Sequence, residues 1–455
     1  MKKIFQLFPA ILFLLTLLPL QAAPEYTYLK DPDTGRRVKY SALPNDKRAV
    51  FLPTRYFRKQ SEFRGIWVAT YAGIDFPKTS SPQHFCKVYR QYLANIRNAG
   101  FTAVIFQIRP SCDAFYNSKI NPFSRSIRGQ EGVGYPQFDM LKYMIAETRR
   151  HGLEFHAWLN PYRVAGSTTL SKNAYLKTLS PMNFARKNPS AVLESPTANG
   201  RMLILDPGNP LVKNHLLATV QEIITRYAPD AIHFDDYFYP YDYKGNNDLA
   251  TYRKYNKDPG ITIDAWRRNN VNQMIRSVST LIRQNNKVQK KKIRFGISPF
   301  GIWLNSKTTP YGSLTLGNES YFSNYSDSRQ WIKRNWIDYI IPQLYWSFNH
   351  PKAPYAALAD WWANTVTGTS VKLYIGIGAY QKLSTKNTAE LKNQILYNCR
   401  RQEIRGCAIY SYSKVFAPEN LFRYNLVYQV INGCWKYRLY MPPALQKQNR
   451  NNRKK

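Results

Sequence analysis

Residues 230–240 read Asp-Ala-Ile-His-Phe-Asp-Asp-Tyr-Phe-Tyr-Pro (DAIHFDDYFYP). The first half alternates like a strand entering a core, with Ile232 and Phe234 on one face and His233 and Asp235 on the other. The second half sets two adjacent carboxylates, Asp235 and Asp236, against three aromatic rings and a proline. The chain carries 28 acidic residues against 65 Lys and Arg. Two acids side by side at the end of a buried strand therefore need a chemical reason.

Seven similar apolar runs surround this one. Residues 63–71, 102–109 and 153–160 precede it, and 293–303, 338–346, 372–380 and 406–412 follow. Amphipathic stretches at 83–98, 138–150, 210–227, 263–285, 329–335, 355–365, 387–401 and 419–431 predict helices between and after them. Ser81-Pro82 supplies a cap and a first-turn proline, and Asn98-Ala99-Gly100 supplies a stop. Eight strand–helix units predict a closed (β/α)8 TIM barrel. The glycine signatures of dinucleotide and P-loop folds are missing, which sets aside an open doubly wound sheet. Long connections follow the second, third and fourth strands, at 110–136, 161–209 and 238–262. In a barrel they belong to the catalytic face.

The barrel domain is expected over 63–435. Residues 24–62 are a polar, basic, turn-rich lead-in, and 436–455 read as a basic disordered tail. The first 23 residues have Lys2 and Lys3, an apolar run over 4–20 and the small residues Ala22-Ala23, which is a secretory signal pattern. The expected location is outside the cytosol, in the periplasm or cell envelope, with no membrane span after cleavage. The formal charge of +37 admits nucleic acid, anionic lipid or anionic polysaccharide as partner. Export and the lack of a recognised nucleic-acid module set nucleic acid aside. Five cysteines form no disulfide framework and no zinc spacing, and none of the six histidines makes a close ligand pair with another. No metal and no cofactor are expected, and a metal-dependent deacetylase is disfavoured.

Inside a barrel, alternate side chains face the interior, so polar residues of that parity near each strand's end are candidate site groups. Gln107 and Arg109 qualify, with Asp113 beyond them. So do His156, Trp158 and Asn160, followed by Arg163. His233, Asp235 and Tyr237 share one parity; Gln343 and Tyr345 share another; Ser411 closes the set. The first strand runs into Asp75, and the fifth into Ser298 and Trp303. Two carboxylates in one mouth equip a protein for glycoside hydrolysis, about 5 Å apart for retention and farther for inversion. Neighbours on a regular strand point to opposite faces. Either the chain bends at Asp236, or the second acid is Asp75, Asp113 or Asp242. A third route needs one acid and a substrate acetamido group as nucleophile. The purely structural alternative has Arg109, Arg163 or backbone amides holding both acids.

The segments EFRGIWVATYAGIDFP, AVIFQIRPSCDAFY, HGLEFHAWLNPYR, LDPGNP, DAIHFDDYFYPY, DAWRRNNVNQMI, GISPFGIW, DYIIPQLYWSF and YIGIGAY lie within a stretch of about residues 61–415. Together they resemble the glycosyl-hydrolase-like-10 family of exported bacterial TIM-barrel proteins. The resemblance implies hydrolysis of peptidoglycan glycan strands, including strands denuded of stem peptides. Carried over by position, it implies a site of Asp75, Arg109, Asp113, Asn160, Arg163, Asp235, Asp236, Gln343, Tyr345 and Trp346. Asp235 or Asp236 is expected to be the general acid, raised by burial among Tyr237, Phe238 and Tyr239. Trp303, Tyr345 and Trp346 are expected to stack on sugar rings. The other reading is a non-catalytic glycan-binding barrel of the cell envelope.

Overall fold

The computed structural model describes residues 25–243, 245 and 247–452. The expected signal peptide lies outside them. Thirteen strands occur among the described residues: β1 (Tyr26–Tyr28), β2 (Phe51–Pro53), β3 (Phe63–Val68), β4 (Ala103–Arg109), β5 (Glu154–Leu159), β6 (Arg163–Thr168), β7 (Val192–Thr197), β8 (Gly200–Leu205), β9 (Ala231–Phe234), β10 (Arg294–Ile297), β11 (Tyr339–Ile340), β12 (Lys372–Gly378) and β13 (Ile404–Tyr410). Eight of them, β3–β4–β5–β9–β10–β11–β12–β13, close into a parallel barrel in which β13 pairs back onto β3. This is the (β/α)8 barrel that the eight apolar runs predict. They are legible because both faces of a barrel strand are covered; every residue of β3, β4 and β9 is buried.

The helices stop and start where local chemistry asks. Pro82–Asn98 begins on Ser81, whose side chain accepts the His84 N–H. Ile263–Gln289 begins on Thr262, which accepts the Ala265 N–H, and ends at Lys290 in the left-handed conformation. Inside the barrel, Phe63, Trp67, Ile105, Trp158, Tyr339 and Tyr374 form a compact cluster beneath the mouth.

Four features depart from the sequence reading. The loop after the third barrel strand carries its own antiparallel sheet, ordered β6–β8–β7. Gly200 starts β8 at φ +125, and a Cβ there would lie 2.3 Å from the Thr168 carbonyl oxygen. A fourth long connection, over 298–327, follows β10. The run 293–303 is not one strand, because pairing to β9 and β11 ends at Ile297. The lead-in is clamped to the barrel: Val38, Val50 and Leu52 are buried, and Lys59 Nζ donates to the carbonyls of Asn398, Arg401 and Ile404. Finally, the expected disordered tail is corrected. Leu439 and Leu445 are buried and Pro443–Asn452 is helical, because this basic stretch carries enough apolar side chains to dock on the body.

Candidate active site

The barrel mouth opens into a cavity of about 1040 Å³. That lies at the top of the range of small-ligand pockets, roughly 300–1,000 Å³, so there is room for more than one sugar ring. Its walls are largely aromatic, with Tyr71, Tyr237, Tyr241, Phe300, Tyr345 and Trp346 among them. Asp235 and Asp236 are the only carboxylates lining it among the described residues.

Both acids reach the cavity because the strand ends before them. Ladder pairing of β9 stops at Phe234, opposite Leu159 and Ile297. Beyond it, the Tyr237 N–H donates to Asp235 Oδ1 at 3.3 Å and the Phe238 N–H to the Asp236 carbonyl at 3.0 Å. The chain turns, and the period-2 rule that would send the two side chains apart no longer applies. Of the ways to assemble two acids, the bend at Asp236 is the one the chain uses. Asp75, Asp113 and Asp242 do not line the cavity.

The pair is asymmetric. Asp235 Oδ2 accepts the Trp158 indole N–H and the Asn160 amide N–H, each at 3.0 Å. Burial pushes its carboxyl up, while Arg163 and these donors pull it back. Asp236 is pushed up to about 7 by burial and then by the charge of Asp235, against a hydrogen bond from Gln343. Burial and the charge of Asp235 thus favour a proton on Asp236 near neutrality, while the donors around Asp235 favour its carboxylate form against its own burial.

Arg163 stands beside them. Its guanidinium lies 4.6 Å from the ring centroids of both Tyr71 and Tyr237 and donates to the Pro110 carbonyl at 3.1 Å. Asn160 links the two groups, because its Oδ1 also accepts the Arg163 backbone N–H at 2.9 Å. Gln343 lines the cavity and donates to the Ser298 carbonyl at 2.8 Å.

The remaining expected site residues lie elsewhere. Asp75 is a staple between the first and last barrel strands, accepting from Ala69 N, Ser411 Oγ and Ser413 N. Arg109 is buried at the end of β4, past a register shift that breaks the strand's alternation, and donates to the carbonyls of Asn160 and Pro161. Asp113 accepts the Ser111 N–H and shapes its own loop. His233 sits inside the barrel between Tyr339 and Ser298. Trp303 is corrected as a sugar platform: its indole donates to Asp327 and stacks on Trp361, away from the cavity walls. The chain leaves the barrel after Ile297, which carries Trp303 outward. Conversely, the reading from sequence passed over Tyr380, Lys382 and Tyr410, all of which line the cavity. Tyr380 and Tyr410 share interior parity with Gly378 and Ala408, a signal present in the sequence.

Among the described residues, no group of three or more metal-ligating side chains occurs. The five cysteines are free.

A family model described as Glycosyl hydrolase-like 10 matches residues 62–392. Glycosyl hydrolase YngK of Bacillus subtilis (strain 168) is 39% identical over 360 residues, which cover 77% of this chain and 68% of that protein. Glycosyl hydrolase DigH of Escherichia coli (strain K12) is 34% identical over 392 residues, covering 81% of this chain and 87% of that protein. Among solved structures, the PgaB (BpsB) glycoside hydrolase domain from Bordetella bronchiseptica aligns over 77% of this chain and 93% of that chain, at 12% identity and a TM-score of 0.49.

Proposed function

The chain belongs to the glycosyl hydrolase-like 10 family, and from that premise we propose that it cleaves the glycan strands of the bacterial cell wall, with Asp236 as general acid. The observation that carries this reading is the asymmetric acid pair in the aromatic cavity. Asp236 holds a proton near pH 7 and is matched to protonating a leaving glycosidic oxygen. Asp235 is met by three N–H donors and lies near Arg163, contacts that favour its carboxylate form against the upward push of burial.

The pair also bears on mechanism. Consecutive Cα atoms are about 3.8 Å apart, so both carboxylates enter from the same side of the mouth, just past the C-terminal end of β9. Across the ring, β12 and β13 lead to Tyr380 and Tyr410, and no carboxylate faces the pair among the described residues. A carboxylate nucleophile on the far face of the sugar is therefore not supplied there. This supports an acetamido group of the substrate as nucleophile: its carbonyl oxygen attacks the anomeric carbon while Asp235 steadies the amide N–H. Asp236 gives its proton to the departing oxygen, and the water that opens the cyclic intermediate returns one to it. The substrate must then carry N-acetylhexosamine at the cleavage position, as peptidoglycan does.

The charge of +37 favours a polyanionic strand, and Lys382 at the cavity wall suits the carboxylate of a muramic acid without its peptide. Export to the periplasm or envelope is part of the proposal and rests on residues 1–23. The test is digestion of purified glycan strands, with and without stem peptides, followed by mass analysis of the ends. New chain ends are expected, most on denuded strands. Strands left whole while a control hydrolase cuts them would overturn the proposal.

A further inference from the structure

Beneath the cavity, a continuous chain of polar contacts climbs the barrel interior, and the proposed mechanism does not use it. At the N-terminal end of β5, Glu154 Oε2 lies 3.1 Å from His156 Nε2. His156 Nδ1 is 2.9 Å from Tyr339 Oη, which is 3.2 Å from His233 Nδ1. His233 Nε2 is 3.0 Å from the hydroxyl of Ser298, a residue that lines the cavity. Gly296 makes the crossing sterically feasible: a Cβ there would lie 2.0 Å from the Tyr339 ring.

The chain has a direction. A neutral imidazole has one donor and one acceptor nitrogen, and a tyrosine hydroxyl has one proton. Burial holds both histidines below their ordinary range, so both are neutral. Glu154 is paired with Arg294 at 2.6 Å and can only accept. His156 must then donate from Nε2 and accept at Nδ1. Tyr339 donates to His156 and accepts from His233 Nδ1–H. His233 Nε2 is left to accept the Ser298 proton. The competing contacts are longer: Arg294 Nη2 is 3.4 Å from His156 Nε2, and the Phe234 carbonyl is 3.5 Å from Ser298 Oγ.

We infer that Ser298 is a specificity-determining acceptor whose polarity is set from the far end of the barrel by Glu154, through His156, Tyr339 and His233. With its proton committed inward, its oxygen offers only lone pairs to the cavity and takes a hydroxyl donor of the bound sugar. Tyr339 and His233 act as positioning residues. The inference rests on the glycan reading for its ligand, but the direction of the chain does not.

Two measurements test it. Nitrogen-15 spectra of the wild-type protein, assigned with His233→Gln and His156→Gln, should show His233 protonated at Nδ1 and His156 at Nε2. Kinetics on glycan strands should show Ser298→Ala and Tyr339→Phe each raising KM about three- to tenfold with kcat nearly unchanged, the loss expected for one hydrogen bond. The double variant should be no worse than Ser298→Ala alone, since Tyr339 acts only through the Ser298 hydroxyl that this substitution removes. Protonation of His233 at Nε2, or KM effects that multiply, would overturn the inference. If the wild type leaves strands uncut, the cell-wall reading fails, and the ring-nitrogen spectra still decide the direction of the chain.

Discussion

Two buried aspartate clusters lie on either side of the loop that follows β9, and they show what separates a structural acid from a chemical one. In the first, Asp248 is met by Arg267 through two contacts, Nε to Oδ2 at 2.7 Å and Nη2 to Oδ1 at 2.6 Å. Tyr325 and the Gly245 carbonyl take up further guanidinium protons, and Tyr239 and Tyr243 border the pair. Asp264 Oδ1 also accepts from Arg267, at 3.3 Å, and Asp206 beside the pair is pushed up to about 6, chiefly by burial; neither Asp248 nor Arg267 lines the large cavity. In the second, Asp236 has another carboxylate as its neighbour, with Arg163 near both acids but no bidentate guanidinium partner like that of Asp248, at the wall of a large cavity. Burial and like charge leave it holding a proton it can give away. Both clusters are buried acids among tyrosines; the partner differs, and with it the role.

The contrast can be broken or sharpened in order of effect. Asp236→Asn should lower kcat on glycan strands by about 10²–10⁴-fold while leaving the thermal midpoint unchanged or higher, because a repulsive neighbour is removed. Turnover assays with calorimetry on the same sample check both halves. Asp248→Ala should do the reverse, costing about 3–5 kcal/mol in denaturant unfolding by removing the bidentate partner of buried Arg267, while the folded fraction keeps its specific activity. Equal activity losses in the two variants would erase the distinction.

The third expectation concerns pH. The folded pKa of Asp236, about 7, exceeds its unfolded value, so between these values the folded state binds more protons. The stability that Asp236 contributes should therefore be fully present below its unfolded pKa and be lost as pH rises through about 7. The change is a few kcal/mol at most, one pKa unit corresponding to about 1.36 kcal/mol. Asp236→Asn should flatten this slope, and urea titrations across the window measure it. The smallest effect belongs to Trp158→Phe, which removes one donor to Asp235. It should cost about tenfold in kcat/KM, the scale of one hydrogen bond to a charged group. No change would mean that Asp235 does not depend on this donor.

The same physics decides how much could be read in advance. The eight barrel strands announce themselves because burial on both faces forces continuous apolar runs. Asp235 and Gln343 were legible because an interior-facing polar residue at a strand's end has few other reasons to exist, and Arg163 because it follows such a strand end. Parity holds only along a regular strand: a register shift between Gln107 and Arg109 breaks it in β4, and Asp75 lies beyond the end of β3, so both serve as staples and not as cavity walls. Trp303 misled because an apolar stretch can continue past the last ladder hydrogen bond. The β6–β8–β7 sheet was hidden because its strands sit over a loop region, half exposed, with no clean alternation. The bend that brings Asp236 round depends on a turn after Phe234, which the sequence marks only by Pro240 a few residues on.

The most direct measurement is the titration of the Asp236 carboxyl itself, by carbon-13 spectra of protein labelled at aspartate side chains, with Asp236→Asn to assign the signal. The expected result is one carboxyl that keeps its proton until about pH 7 and is missing from the variant. A spectrum in which every aspartate has ionised by about pH 5, near the ordinary carboxylate range, would contradict the assignment of Asp236 as the acid.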